Sequence, residues 1–142
     1  MSDILPSVGA DYALQEAVFS VLIDDSSLTD LLGGEKVFDR APEGTDYPYV
    51  TFTTLNMRDA STTTEAAFEC RLTLNVWSRE LGRRQVLTIL NRIRQLLHDR
   101  NLALSDYVLV NLREELSDVL QDGDKLAFRG ITRFRAFIET NI

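Results

Sequence analysis

Between Phe68 and Trp77 the chain alternates without a break: Phe68, Cys70, Leu72, Leu74 and Val76 are separated by Glu69, Arg71, Thr73, Asn75 and Trp77. Successive side chains of an extended strand point to opposite faces, so this run is a strand with one face on a core. Ser78 follows it and is placed to cap a helix spanning 79–99. In that helix Val86, Leu90, Ile93 and Leu97 recur every three or four residues as one apolar stripe, and Arg83, Arg84, Arg92 and Arg94 lie elsewhere on its surface. A half-buried strand leading into an amphipathic helix confines the chain to architectures in which helices cover a sheet.

The remaining segments fit that frame. Leu14, Val18, Val21 and Leu22 predict a helix over 11–23 with Asp11 as N-cap. Asp24-Asp25-Ser26 breaks it, Ser27-Leu28-Thr29-Asp30 resembles a capping box, and Gly33-Gly34 supplies a stop, which completes an N-terminal helical unit over 10–34. Residues 35–48 carry Pro42, Gly44 and Pro48 and read as an irregular crossing pinned by Val37 and Phe38. Residues 48–78 form a strand hairpin whose polar tip, 58–67, is too long for a tight turn and is free to order against a neighbour.

After the long helix, residues 107–112 are almost continuously apolar, and an acidic stretch from Glu114 ends in Asp122-Gly123, the strongest hairpin turn signal in the chain. The last strand, 126–139, sets Phe128, Thr132, Phe134, Ala136 and Ile138 on one side and Arg129, Ile131, Arg133, Arg135 and Phe137 on the other. The second hairpin thus covers 107–139. The expected fold is α+β: one domain over 1–142, with a four-stranded, mainly antiparallel sheet and a long helix and the N-terminal helices packed on one face.

A chain of 142 residues, 44% apolar and 26% charged, can bury a core without disulfide or metal staples. There is no apolar run of membrane-spanning length, and residues 1–6 lack the pattern of a signal peptide, so the expected place of synthesis and assembly is the cytoplasm. The formal charge of −7 argues against general binding to nucleic acid phosphates, which depends on Lys and Arg.

Few residues offer chemistry. With one cysteine and one histidine there is no intrachain disulfide and no Cys/His zinc cluster, and no cofactor is expected. Cys70 falls on the core face as a small hydrophobe, and His98 lies at a helix end in a surface or capping role. Gly33-Gly34 lacks phosphate-loop spacing, and Glu114, Glu115, Asp118, Asp122 and Asp124 do not match a calcium loop and read as a solvated edge. The row Arg129, Arg133 and Arg135, joined by Arg71, is either a solvated sheet face or an interface for acidic partners, with the outward aromatics Trp77 and Phe137 favouring an interface.

An ordered set of short motifs adds to this reading: Ala13-Leu14, Val37-Phe38-Asp39 followed by Ala41-Pro42, Tyr47-Pro48-Tyr49-Val50, Leu74-Asn75-Val76-Trp77-Ser78-Arg79, and Arg135-Ala136. Together, over about 11–139, they resemble the tail-terminator or tail-completion-like proteins of siphophages and gene transfer agents. The resemblance implies a non-enzymatic α+β subunit of a homo-oligomeric ring of six. That ring would stand at the head-proximal end of the tail, end the tail tube protein, meet the head connector and let DNA pass without sequence-specific binding.

No catalytic, cofactor or metal residues come with the resemblance. The candidate contacts with a neighbouring subunit or the tube are read from the residues themselves: Arg58, Asp59, Thr63 and Glu65 of the hairpin tip, and Arg71, Trp77, Arg129, Arg133, Arg135 and Phe137 of the outward face. A head-tail connector or stopper, or a cytoplasmic non-enzymatic adaptor, would account for the same composition.

Overall fold

The structure, a computed structural model, describes residues 6–121, 123 and 127–141. Three helices, α1 (Ala10–Asp24), α2 (Ser26–Leu32) and α3 (Arg84–Leu97), accompany six strands. The strands are β1 (Val37–Phe38), β2 (Tyr49–Asp59), β3 (Ala67–Ser78), β4 (Ala103–Leu104), β5 (Tyr107–Gln121) and β6 (Phe128–Thr140). They form one sheet in the order β1-β2-β3-β6-β5-β4. The fold is therefore α+β as expected, but the sheet has six strands, not four, and it is mixed, because β1 pairs parallel with β2. The two additional strands are two residues long, too short to show any periodicity in the sequence.

The alternation of β3 is borne out from Cys70 to Leu74, while Asn75 on the outward face is buried as well and Phe68 is only partly buried. Cys70, Leu72, Leu74 and Val76 are fully buried, facing Ala136, Phe134, Thr132 and Gly130 of β6 in register. The stripe of α3 closes over them with Val86, Ile89, Leu90, Ile93 and Leu97. Its approach to β6 is closest at Gly130, where a Cβ would stand 2.7 Å from Val86 Cγ2 and 2.8 Å from Leu90 Cδ1.

Several boundaries differ from the sequence reading. α3 begins at Arg84 rather than after Ser78, because Gly82 takes a left-handed φ of 89° that no helix accommodates. Ser78 instead organises the approach: its hydroxyl donates to Gln85 Oε1 (2.6 Å) and accepts from the Glu80 N–H. The N-cap of α1 is Gly9, and Asp11 lies in the first turn, where it accepts from the Tyr12 N–H. Gly33, at φ 78°, ends α2 as anticipated. The tip of the first hairpin is 60–66, since Arg58 and Asp59 are still paired with β3. Its own bonds close it, among them Thr62 N–H to the Glu65 carbonyl (2.9 Å) and Ser61 Oγ to Asp59 (2.6 Å), so no neighbour is needed to order it. Asp122 of the second turn, Asp124, Leu126 at the start of the last predicted strand, and residues 1–5 lie outside the described residues.

The cap of α2 is Asp25, not the Ser27 box. One Asp25 oxygen accepts from the Leu28 N–H (2.8 Å), and both oxygens receive the Arg92 guanidinium of α3, at 2.6 and 2.8 Å. The Arg92 hydrogen bonds hold the Asp25 carboxyl below the usual aspartate range against the opposing effect of burial. A lowered folded-state value means that this stabilisation is present at neutral pH and is lost as the pH falls below about 4. Asp25→Ala is expected to destabilise the chain by about 2 kcal/mol at pH 7 through loss of a cap and a charge-assisted pair. In urea titrations the gap from the unsubstituted chain should shrink at pH 3. A gap that stayed constant with pH would contradict this account.

Candidate functional site

The sheet face away from the helices gathers most of the residues singled out in the sequence. Arg71 of β3 and Arg133 and Arg135 of β6 lie there together, with Arg58 of β2 alongside. They do not form a bare basic patch. Arg71 Nε and Arg133 Nε both donate to Glu115 Oε1, at 2.8 and 2.9 Å. Arg71 also reaches Glu69 (3.1 Å), and Arg58 and Arg135 approach the same glutamate at 3.7 and 4.0 Å. Four arginines share two carboxylates, so the patch keeps a positive surplus while its central guanidiniums are engaged. Burial raises the Glu115 carboxyl, but hydrogen bonds from Arg71 and Arg133 outweigh it and hold the group below its ordinary value, charged at neutral pH.

Glu115 reaches this face because an earlier register shift, between Leu109 and Asn111, changes the parity of β5, so that Glu114 falls on the helix side and Glu115 on this one. Between Glu114 and Leu116 the β5–β6 pairing slips by one residue, a bulge in which two residues of β5 oppose one of β6. Glu69 was legible from the alternation of β3, but Glu115 was not, since simple counting along β5 assigns it to the wrong side.

At the far end of the same face is an aromatic cluster that the sequence reading reached only through Trp77. The Trp77 ring stacks on Tyr49 (6.2 Å, 25°), which contacts Tyr47 (5.3 Å) and Phe38 (6.4 Å). Arg79 lies 4.7 Å over Tyr47, and Arg129 lies 5.6 Å over Trp77. Trp77 is thus half-buried, with its Nε1 donating to Thr51 Oγ1 (3.1 Å), rather than an outward exposed ring. Arg129 Nε is shielded from solvent and has no hydrogen-bond partner among the described residues.

Phe137, opposite Glu69 and Asn111, is on this face and half-buried. Asp59 pairs with Phe68 and belongs to the other face, while Thr63 and Glu65 are exposed on the hairpin tip. The structure therefore unites Arg58, Arg71, Trp77, Arg129, Arg133, Arg135 and Phe137 and leaves Asp59, Thr63 and Glu65 apart.

Glu114 corrects the reading of the acidic stretch as a solvated edge. It points to the helix side, where it receives Arg94 of α3 through Nε and Nη2, and the hydroxyl of the fully buried Thr132 donates to it at 2.6 Å. Its N–H donates to His98 Nδ1 (2.9 Å), so the histidine joins the end of α3 to β5. Cys70 is fully buried, and burial, aided by Asp11 and Glu69, pushes its thiol up to about 11. Among the described residues no group of His, Cys, Asp and Glu is arranged to hold a metal ion, and no helix is long and apolar enough to cross a membrane.

The fold itself, a helix-backed sheet, occurs in known proteins. A chain in the virion of the native gene transfer agent (GTA) particle superposes with a TM-score of 0.86 at 27% identity, covering 94% of this chain and 99% of that one. The bacteriophage SPP1 gp17 protein superposes with a TM-score of 0.61 at 21% identity, covering 99% of this chain and 97% of the other, a likeness of fold. No curated protein matches the sequence. The profile of the family described as Tail completion protein gp17 matches residues 16–139, and the chain belongs to that family.

Proposed function

We propose that this chain is a structural, non-enzymatic subunit of a phage tail or gene transfer agent particle. It assembles as a ring of six at the head-proximal end of the tail, ends the tail tube and offers a surface to the head connector. The observation that carries the reading is the likeness over nearly the full length of both chains to a subunit found in a gene transfer agent virion. The charged groups of the open face support it, because they are spent on one another in a lattice across three strands and line none of the cavities of the described residues.

A ring whose interface is heterologous closes on itself and so caps growth, which is what ending a tube requires. The lattice also suits a passage for DNA: guanidiniums already held by Glu69 and Glu115 release fewer counterions on meeting phosphate than free ones would. Electron microscopy of particles carrying a tag on this chain should show ring density at the head-proximal end of the tail. Density at the portal would favour a connector, and absence from particles would favour an adaptor; either would overturn the reading.

A further inference from the structure

Both edges of the sheet are left open over long runs. β1 covers only Val50 and Thr51 of β2, and β4 covers only Tyr107 and Val108 of β5. Residues 52–59 on one side and 109–121 on the other therefore have no strand alongside among the described residues; the backbone of the second run is met from outside the sheet by residues 98–99, through Asp99 N–H to the Leu112 carbonyl and Glu114 N–H to His98 Nδ1, both short of the 117–121 end. Monomeric proteins blunt such edges with proline, lysine or a covering loop, because an open row of N–H and C=O groups recruits another strand. Neither run contains proline or lysine, and both expose apolar side chains: Met57 on β2 and Val110, Leu116 and Leu120 on β5.

The two edges also fit each other. β2 is antiparallel to β3, β3 to β6 and β6 to β5, so β2 and β5 run in opposite directions. A copy rotated about an axis near the strand direction brings its β2 antiparallel to the first copy's β5. In a ring each subunit spans four long strands of about 4.8 Å, and an incline near 45° shifts the neighbour along the strand by about six residues. A right-handed crossover of α3 from β3 to the parallel strand β5, with the right-handed incline of closed sheets, fixes the direction of that shift. It carries the bulge-free end of β2, 55–59, onto the bulge-free end of β5, 117–121, clear of β1 and β4. In that register Arg58 stands opposite Asp118 and Met57 opposite Val119.

Resting on the ring reading above, we infer that subunits join by edge-to-edge strand addition, β2 of one copy against β5 of the next, with Arg58 facing Asp118 across the junction. The rings of strands then close into one continuous sheet with the helices outside and the Glu69–Glu115 lattice facing the channel. Six copies supply 24 long strands and a backbone diameter of roughly 50 Å, an open passage rather than a packed interior.

The test is disulfide trapping in purified tailed particles. Arg58→Cys is combined in turn with Leu116→Cys, Asp118→Cys or Leu120→Cys, the outer-face positions of β5 within reach. Cys70, fully buried with its thiol near 11, stays silent. Directly opposed strand residues meet the distance a disulfide needs, so the Arg58→Cys/Asp118→Cys pair should give a ladder of covalent multimers ending in a closed ring, about tenfold above either single variant. Ring density at the tail end with no cross-link in any pair would overturn edge addition and leave the ring standing. Dimers from a single variant would mean that like edges pair, which also overturns it. No ring in the particles would remove both the reading and the inference.

Discussion

Gly130→Val is expected to lower the stability of the isolated chain by about 3 kcal/mol, a large part of the 5–15 kcal/mol by which a domain of this size is folded. No unusual backbone angle is at issue. A first side-chain carbon at this position would already lie 2.7 Å from Val86 Cγ2, 2.8 Å from Leu90 Cδ1 and 3.1 Å from Leu90 Cγ, and valine adds two methyl groups to that contact. Val86 and Leu90 are fully buried among the side chains that close α3 onto the sheet, so neither can swing into solvent; the helix must lift or the strand must bend. Gly130→Ala should cost about 1–2 kcal/mol, and pairing it with Val86→Ala should recover part of the loss, because the second change removes the nearest clashing methyl. Urea unfolding followed by far-ultraviolet dichroism reads all three. A valine variant with an unchanged midpoint would mean that α3 does not ride this close to β6.

Glu114→Ala is expected to cost about 3 kcal/mol, far above the half kcal/mol typical of an exposed carboxylate. Removing the carboxylate strips the buried Thr132 hydroxyl of its acceptor and leaves the Arg94 guanidinium over a partly buried site without its partner. Glu114→Gln should lie between the two, keeping an acceptor for Thr132 but not the charge for Arg94. The neighbouring Glu115→Ala should cost clearly less in the isolated chain, since Glu115 is the more exposed carboxylate and serves no buried hydroxyl like that of Thr132. If Glu114→Ala and Glu115→Ala proved equally mild, the helix-side ion pair would have no structural weight.

The contrast between these two glutamates shows how far the sequence could be read. The core face of β3 and β6 was legible residue by residue, because a strand with one buried face must alternate and nothing interrupts Phe68 to Val76 or Phe128 to Ile138. The stripe of α3 was legible for the same kind of reason at the helical period. Glu114 and Glu115 were not, because adjacent carboxylates in an acidic stretch look solvated until the shift between Leu109 and Asn111 resets the parity of the strand, which carries one under the helix and the other onto the arginines. β1 and β4 escaped because two residues make no pattern, and the late start of α3 escaped because Gly82 gives no helical period to count.

Of the candidate surface, Arg71, Arg129, Arg133, Arg135 and Trp77 followed from alternation, Arg58 was reached through the hairpin tip, and Tyr47, Tyr49 and Arg79 were brought beside them only by the folding of the crossing segment and the pairing of β2 with β3. The hairpin tip was singled out for its polarity, and Thr63 and Glu65 remain outside the face that the other candidates share.

The two irregularities in β5 have a joint effect on parity. One extra residue between Leu109 and Asn111 exchanges the faces of everything after it, and a second between Glu114 and Leu116 exchanges them back, so that Val119 lies on the same side as Leu109. Each irregularity absorbs one unpaired residue, so deleting residue 110 or 115 alone would bring Leu109 and Asn111, or Glu114 and Leu116, onto consecutive partners of β6, straighten the strand there and leave every downstream residue on its own face.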